Sequence, residues 1–167
     1  NENYLCISNK EISEVGSEIR SASGMNWELQ KVFFDGKVFR QTWLCTDAGL
    51  QSTVPQVGDI VGLVMEIVNS YDSSTKAGIL CYYMRLACLN GFRSKAHQFG
   101  YSFRHTLNNE LDWQSEINQS VIQLTGNNPQ YMLSQFSEAC GKLQEPIDFQ
   151  ELKLISENNS YLGKLPT

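Results

Sequence analysis

The chain has 167 residues, of which 41% are hydrophobic and 19% charged, and its formal net charge is −5. That length supports one hydrophobic core of ordinary size, and the composition is that of a globular protein. No apolar run approaches the ~20 residues that span a bilayer, so no membrane partner is expected, and a net acidic chain does not coat nucleic acid with its whole surface.

Residues 8–21, SNKEISEVGSEIRS, place Ile12, Val15 and Ile19 three and four apart behind a Ser or Asn cap, which predicts a short amphipathic helix. WELQKVFF and KVFRQTWLC flank Asp35-Gly36, a strong turn dipeptide, and predict a β-hairpin. TDAGLQSTVPQVGD is rich in turn residues and reads as a loop or an irregular edge. Ile60 to Asn69, IVGLVMEIVN, is nearly continuous in apolar character, as in a strand covered on both faces or one whose exposed face meets a partner. After the turn YDSSTKAG, the run ILCYYMRLACLN returns as the fourth strand. Strict alternation puts Ile79, Cys81, Tyr83 and Arg85 on one face and Leu80, Tyr82 and Met84 on the other. Arg85 then stands alone in an apolar row, so it either bridges to a carboxylate such as Glu66 or reaches a binding surface.

NGFRSKAHQFG reads as a segment leaving the sheet, and YSFRHT as a short added strand. Asn108 is placed to cap a helix carrying Leu111, Ile117, Val121 and Leu124 up to Gly126. Pro129 opens a second helix that Gly141 closes, and Pro146 opens a third. The expected class is α+β, an antiparallel sheet of four to five strands with helices on one face and a helical C-terminal part. Residues 1–125 form the α+β core domain in this reading, and 126–167 a helical extension of it.

Asn1 begins the sequence where methionine would, without a signal pattern, so the chain reads as processed or as part of a longer one. The five cysteines, Cys6, Cys45, Cys81, Cys88 and Cys140, are odd in number and mostly inside apolar runs. They suit reduced core thiols and a cytoplasmic location better than a disulfide framework.

GxxxxGK[ST], GxSxG, HExxH and GxGxxG are all absent, which argues against the common enzymes and calls for no cofactor. Cys81 with Cys88 and His97 with His105 lack the clustering that zinc requires. Asp59, Glu66 and Asp72 are the carboxylates a magnesium-dependent nuclease would draw on, although Asp59 and Asp72 are better explained as turn caps.

Charge distribution carries the functional signal. Between Ser73 and Asn109 lie Lys76, Arg85, Arg93, Lys95 and Arg104 and no carboxylate, although the chain holds 18 acidic residues. Interleaved are Tyr82, Tyr83, Phe92, Phe99, Tyr101 and Phe103. Single-strand nucleic acid binding needs cations for phosphates and flat side chains for unstacked bases. The plain alternative is an aromatic core with a solvated charged rim, which must hold for Tyr82 or Tyr83. The residues best suited to contact nucleic acid are Lys76, Arg85, Phe92, Arg93, Lys95, Tyr101, Arg104 and His105.

Three motifs, NSYDSSTKAG, MRLACLNG and FRHT, together resemble the phage/plasmid-like protein family of unknown function. That family shows an Asn-Ser-x-Asp-Gly-Ser turn, an Arg-[Leu/Val]-[Val/Ala]-Cys-x-Asn segment and an Arg-His-Thr before a helix. The matching positions are Asn69, Ser70, Asp72, Arg85, Leu86, Cys88, Asn90, Arg104, His105 and Thr106, with Ser73 where the family has Gly. The resemblance implies a gene carried on mobile elements. A more distant, fold-level likeness is to ring-forming single-strand annealing proteins. Together these suggest a non-enzymatic, single-stranded DNA-binding homo-oligomer that anneals strands in recombination. The alternatives are a self-assembling or protein-interaction module of a mobile element, and the metal-dependent nuclease.

Overall fold

The computed structural model describes residues 5–53, 60–85, 93–106, 112–126 and 128–142. These build an α+β fold, a six-stranded antiparallel sheet with helices on one face and a helical C-terminal part. Helix α1 spans Asn9–Ser23; the Ser8 hydroxyl caps it by accepting from the Glu11 N–H at 3.0 Å. Strands β1 (Trp27–Phe34) and β2 (Val38–Cys45) form the expected hairpin. The Asp35 carboxylate holds its turn by accepting from the N–H groups of Lys37 and Val38 at 2.9 and 2.7 Å. A 3₁₀ turn at Ala48–Leu50 leads to the short β3 (Gln51–Thr53), in the segment read as a loop or irregular edge. β4 (Ile60–Ser70), β5 (Ala77–Arg85) and β6 (Arg93–Phe103) complete the sheet. α2 (Trp113–Thr125) and α3 (Asn128–Lys142) follow.

The sheet runs β1-β2-β4-β5-β6, and β3 pairs with β4 at Ile60–Gly62, beyond the end of the β2 ladder. β4 is buried along its length except at Ile60, as its unbroken apolar sequence requires. One face of the sheet presents Val61, Leu63, Met65 and Ile67 of β4 with Ile79, Cys81 and Tyr83 of β5. Ile12, Val15 and Ile19 of α1, Ile117 and Leu124 of α2, and Met132 and Phe136 of α3 cover it. α1 comes close because position 16 is glycine: a Cβ there would run into the Ile67 side chain. α1 also lays Arg20 over the Trp43 ring at 3.7 Å, and burial lowers the pKa of that guanidinium.

The opposite face, here the far face, is apolar at its centre. Val64, Tyr82 and Met84 form a second buried cluster with Leu44 and Leu80 against it. Glu66, 3% exposed, is placed there by β4 and takes an ion pair from Arg40 at 3.1 Å. Tyr82 also donates to Glu66, at 3.5 Å. Both adjacent tyrosines are therefore interior, Tyr82 on the far face and Tyr83 on the helix face.

Three expectations need correction. Arg93 does not begin a segment that leaves the sheet: β6 starts there and remains paired with β5 to Phe103. Glu66 pairs with Arg40, whereas Arg85 sits opposite Val61, far along the ladder from Leu80, the residue opposite Glu66. α3 runs through Gly141 to Lys142. α2 is capped by Asp112, whose carboxylate accepts from the Ser115 N–H; Asn108 and the helix expected from Pro146 lie outside the described residues.

The N-terminal segment is tied down by the end of β4. Asn69 is fully buried and donates from Nδ2 to the Ile7 carbonyl and to Asn9 Oδ1, both at 2.9 Å. Ser70 bonds the Thr75 carbonyl at 2.8 Å, and Asp72 accepts from the Ser74 N–H at 3.0 Å, so the β4–β5 turn is built from its own side chains. Ser73 stands in it at φ 60°, the left-handed region that costs a residue with a Cβ about 1 kcal/mol. Ser73→Gly should therefore stabilise the protein by up to about 1 kcal/mol, seen as a raised Tm. Asn69→Ala should cost about 2 to 4 kcal/mol in denaturant unfolding, because it strands the buried Ile7 carbonyl.

Candidate nucleic-acid interface

The acid-free window folds into β5, β6 and their flanks, which form one edge of the sheet. Ala77 pairs with Phe103 at one end of this ladder and Met84 with Arg93 at the other. Lys76 and Arg104, both exposed, thus flank one end, while the backbones of Arg85 and Arg93 mark the other. At ~3.3 Å per residue the two ends are roughly 23 Å apart. The structure consequently divides the predicted cations into two groups instead of gathering them in one. Lys95 follows Arg93 where the ladder is irregular, between the Tyr82–Gln98 and Met84–Arg93 pairs. Phe92 lies outside the described residues.

From Gln98 to Phe103, β6 alternates strictly. Phe99, Tyr101 and Phe103 turn to the helix face and pack on the core, and Gln98, Gly100 and Ser102 are exposed on the far face. Gly78 and Gly100 let the two backbones approach closely: a Cβ on Gly78 would meet the Tyr101 carbonyl oxygen at 2.5 Å, and Gly100 holds φ 115°. The result is an exposed strip of Gln98, Gly100 and Ser102, adjoining the end of the ladder where Lys76 and Arg104 are exposed. The sequence signal for it was present in QFGYSFR, where aromatic and small polar residues alternate with period two.

Two predicted contact residues serve the interior. Tyr101 stacks on Phe103 with centroids 6.2 Å apart and packs against the main core. Burial, and secondarily the charge of Glu116, raises the pKa of its phenol. His105 is 5% exposed with Nδ1 3.1 Å from the Leu5 carbonyl, and Leu5 N–H donates back to the His105 carbonyl. A carbonyl only accepts, so Nδ1 carries the proton in this contact. His105 is in effect a second tie on the N-terminal segment.

The catalytic alternatives find little geometry. Glu66 is buried and committed to Arg40, and Asp72 is committed to its turn; Asp59 lies outside the described residues. Among the described residues, no group of three or more His, Cys, Asp and Glu side chains is placed to hold a metal ion. Burial pushes the Cys45 thiol up to about 11 and that of Cys81 higher still, which keeps both protonated and poorly nucleophilic. Cys6 is exposed, unlike the core thiol its neighbours suggested. Among the described residues, no helix is long and apolar enough to cross a membrane.

No family model, curated protein or solved structure matches this chain. Four of the family-like motif positions act as scaffolding: Ser70 and Asp72 build the β4–β5 turn, Asn69 ties the N-terminal segment to the end of β4, and His105 holds Leu5.

Burial raises the pKa values of Tyr83 and Tyr101 above that of an unfolded tyrosine, near 10. The folded state then favours the neutral phenols: this stability is fully present below pH ~10 and lost as pH rises through the folded values. Urea unfolding from pH 8 upward should show a plateau and then a fall beginning near pH 10. The Tyr83 hydroxyl is buried with no hydrogen-bond partner among the described residues. Tyr83→Phe should therefore match or exceed the parent by up to about 1 kcal/mol at pH 8 and flatten the alkaline fall.

Proposed function

We propose that the chain binds single-stranded DNA along the exposed far face of β6, at the edge of the sheet, as a non-enzymatic protein that anneals strands. The observation that supports this reading best is the conjunction of an acid-free sequence window with its place in the fold. Its described strands, β5 and β6, form one edge of the sheet and present the exposed Gln98, Gly100 and Ser102, with exposed Lys76 and Arg104 at one end and the backbones of Arg85 and Arg93 at the other. On the helix face of the same strands, Glu116 acts on Tyr101. On the far face, the buried Glu66 carboxylate is paired with Arg40, which offsets its charge.

In this reading Lys76 and Arg104 take phosphates at one end, and Arg85, Arg93 and Lys95 at the other. The strip of Gln98, Gly100 and Ser102 lets the strand lie close to the backbone. Phe92 is the aromatic assigned to stacking, since Tyr101 packs into the core. Binding of this kind is driven by phosphate neutralisation and is indifferent to sequence. The three motifs shared with the phage/plasmid-like family connect the reading to a mobile element.

Fluorescence anisotropy of a labelled single-stranded oligonucleotide across a salt series tests the proposal. Lys76→Ala and Arg104→Ala should each reduce the slope of log K against log salt by about 0.7. Ser102→Glu, at an exposed position, should weaken binding about tenfold at low salt by placing an anion in the strip. Absence of binding at low salt, or slopes unchanged in Lys76→Ala and Arg104→Ala together with unchanged affinity in Ser102→Glu, would overturn it.

A further inference from the structure

We propose that β1 is a homodimer interface, which pairs antiparallel with β1 of a second copy about a two-fold axis at Phe33. This is independent of the nucleic-acid reading, because β1 and β6 are opposite ends of the strand order. Every β1 residue after Trp27 is exposed, including Leu29 at 43%, Val32 at 53%, Phe33 at 41% and Phe34 at 53%. Tyr71, 40% exposed, extends the patch through an edge-on contact with Phe34 at 6.3 Å. Isolated exposed apolar residues are ordinary, but four on one strand that has no outer neighbour among the described residues make a template for another strand. β1 has no proline, and its one irregularity, between Leu29 and Lys31, leaves the second half of the strand regular.

The backbone and side chains of that half fix a single register. The Asp35 N–H points to β2, donating to the Val38 carbonyl at 3.4 Å. Alternation then turns the Phe33 and Lys31 backbone groups inward and leaves those of Val32 and Phe34 facing the open edge. In an antiparallel pair centred on Phe33, Val32 faces Phe34 of the second copy and Phe34 faces its Val32, which makes four backbone hydrogen bonds. Phe33 meets its own counterpart, and Lys31 faces Asp35 on both sides of the axis. Asp35 remains anionic because its turn N–H bonds lower its pKa. Sliding by two residues would set Lys31 against Phe33, or Phe33 against Asp35. Sliding by one would turn apolar residues to the wrong face. Only the register centred on Phe33 therefore matches charge with charge and apolar with apolar.

The five exposed side chains offer on the order of 400 Å² per copy. Pairing would then bury at most about 800 Å² of these side chains in total, besides the paired backbone, which is below the standard size of a stable interface and suits a weak, reversible dimer.

Sedimentation equilibrium of the whole chain from about 1 to 200 μM should fit a monomer–dimer equilibrium in that range. Val32→Pro deletes only an outward N–H and Phe33→Lys opposes like charges at the axis. Each should weaken dimerisation at least tenfold, with an unchanged far-ultraviolet circular dichroism spectrum confirming the fold. If the proline variant fails to fold, Phe33→Lys and Phe33→Cys carry the test. Phe33→Cys should form a disulfide-linked dimer under an added oxidant faster than the parent, whose exposed Cys6 sets the background. A monomer throughout, a dimer indifferent to the folded variants, or Phe33→Cys cross-linking no faster than the parent would overturn the proposal.

Discussion

A fully buried asparagine at the end of the central strand organises this molecule. Asn69 satisfies the Ile7 carbonyl and the Asn9 side chain, and so fixes where α1 begins. α1 then crosses β4 at the distance that Gly16 permits and delivers Ile12, Val15 and Ile19 to the sheet. His105, just beyond β6, holds Leu5 in the same segment. The end of β4 and the residue just beyond β6 thus converge on a few N-terminal residues, and the helix layer depends on contacts between groups about 60 to 100 positions apart in the chain. Such ties cost loop-closure entropy, so they require buried hydrogen-bonded partners such as the Asn69 amide group with the Ile7 carbonyl.

β4 imposes the other constraint. A strand with no exposed stretch after Ile60 needs cover on both sides, and its one carboxylate needs a cation. The helices supply the first cover. On the far face, the Val64, Tyr82 and Met84 cluster and the Arg40–Glu66 pair make the sheet's centre a second interior. Within the described sheet, exposure is found along β1 after Trp27 and at Gln98, Gly100 and Ser102 of β6, its two lateral strands.

Elements with strong local signals were legible in the sequence. The α1 cap and stripe, the Asp35-Gly36 hairpin and the apolar β4 each rest on interactions between neighbours in the chain, which spacing records. β6 was read too short because Ser94, Lys95 and His97 lack an apolar alternation, and the ladder to β5 that holds this segment is non-local. The candidate site was legible as charge and illegible as geometry. Counting residues found the acid-free window; it could not show that a hairpin sends Lys76 and Arg104 to one end and Arg85 and Arg93 to the other. His105 looked available for the same reason. Burial of a histidine against Leu5, a hundred positions away, leaves no local trace in the sequence.

The strand order has a further consequence for valency. Joining two copies through β1 would create a continuous path of ten strands, with a β6 strip at each far end. At ~4.8 Å between strands those strips would lie about 45 Å apart before twist is considered. One long strand could then occupy both strips, and the second contact would be made at the effective concentration set by the tether between them. Avidity of that kind would depend on protein concentration through the dimer equilibrium. The weak edge at β1 would thereby act as a threshold on the binding edge at β6, with no conformational change in either.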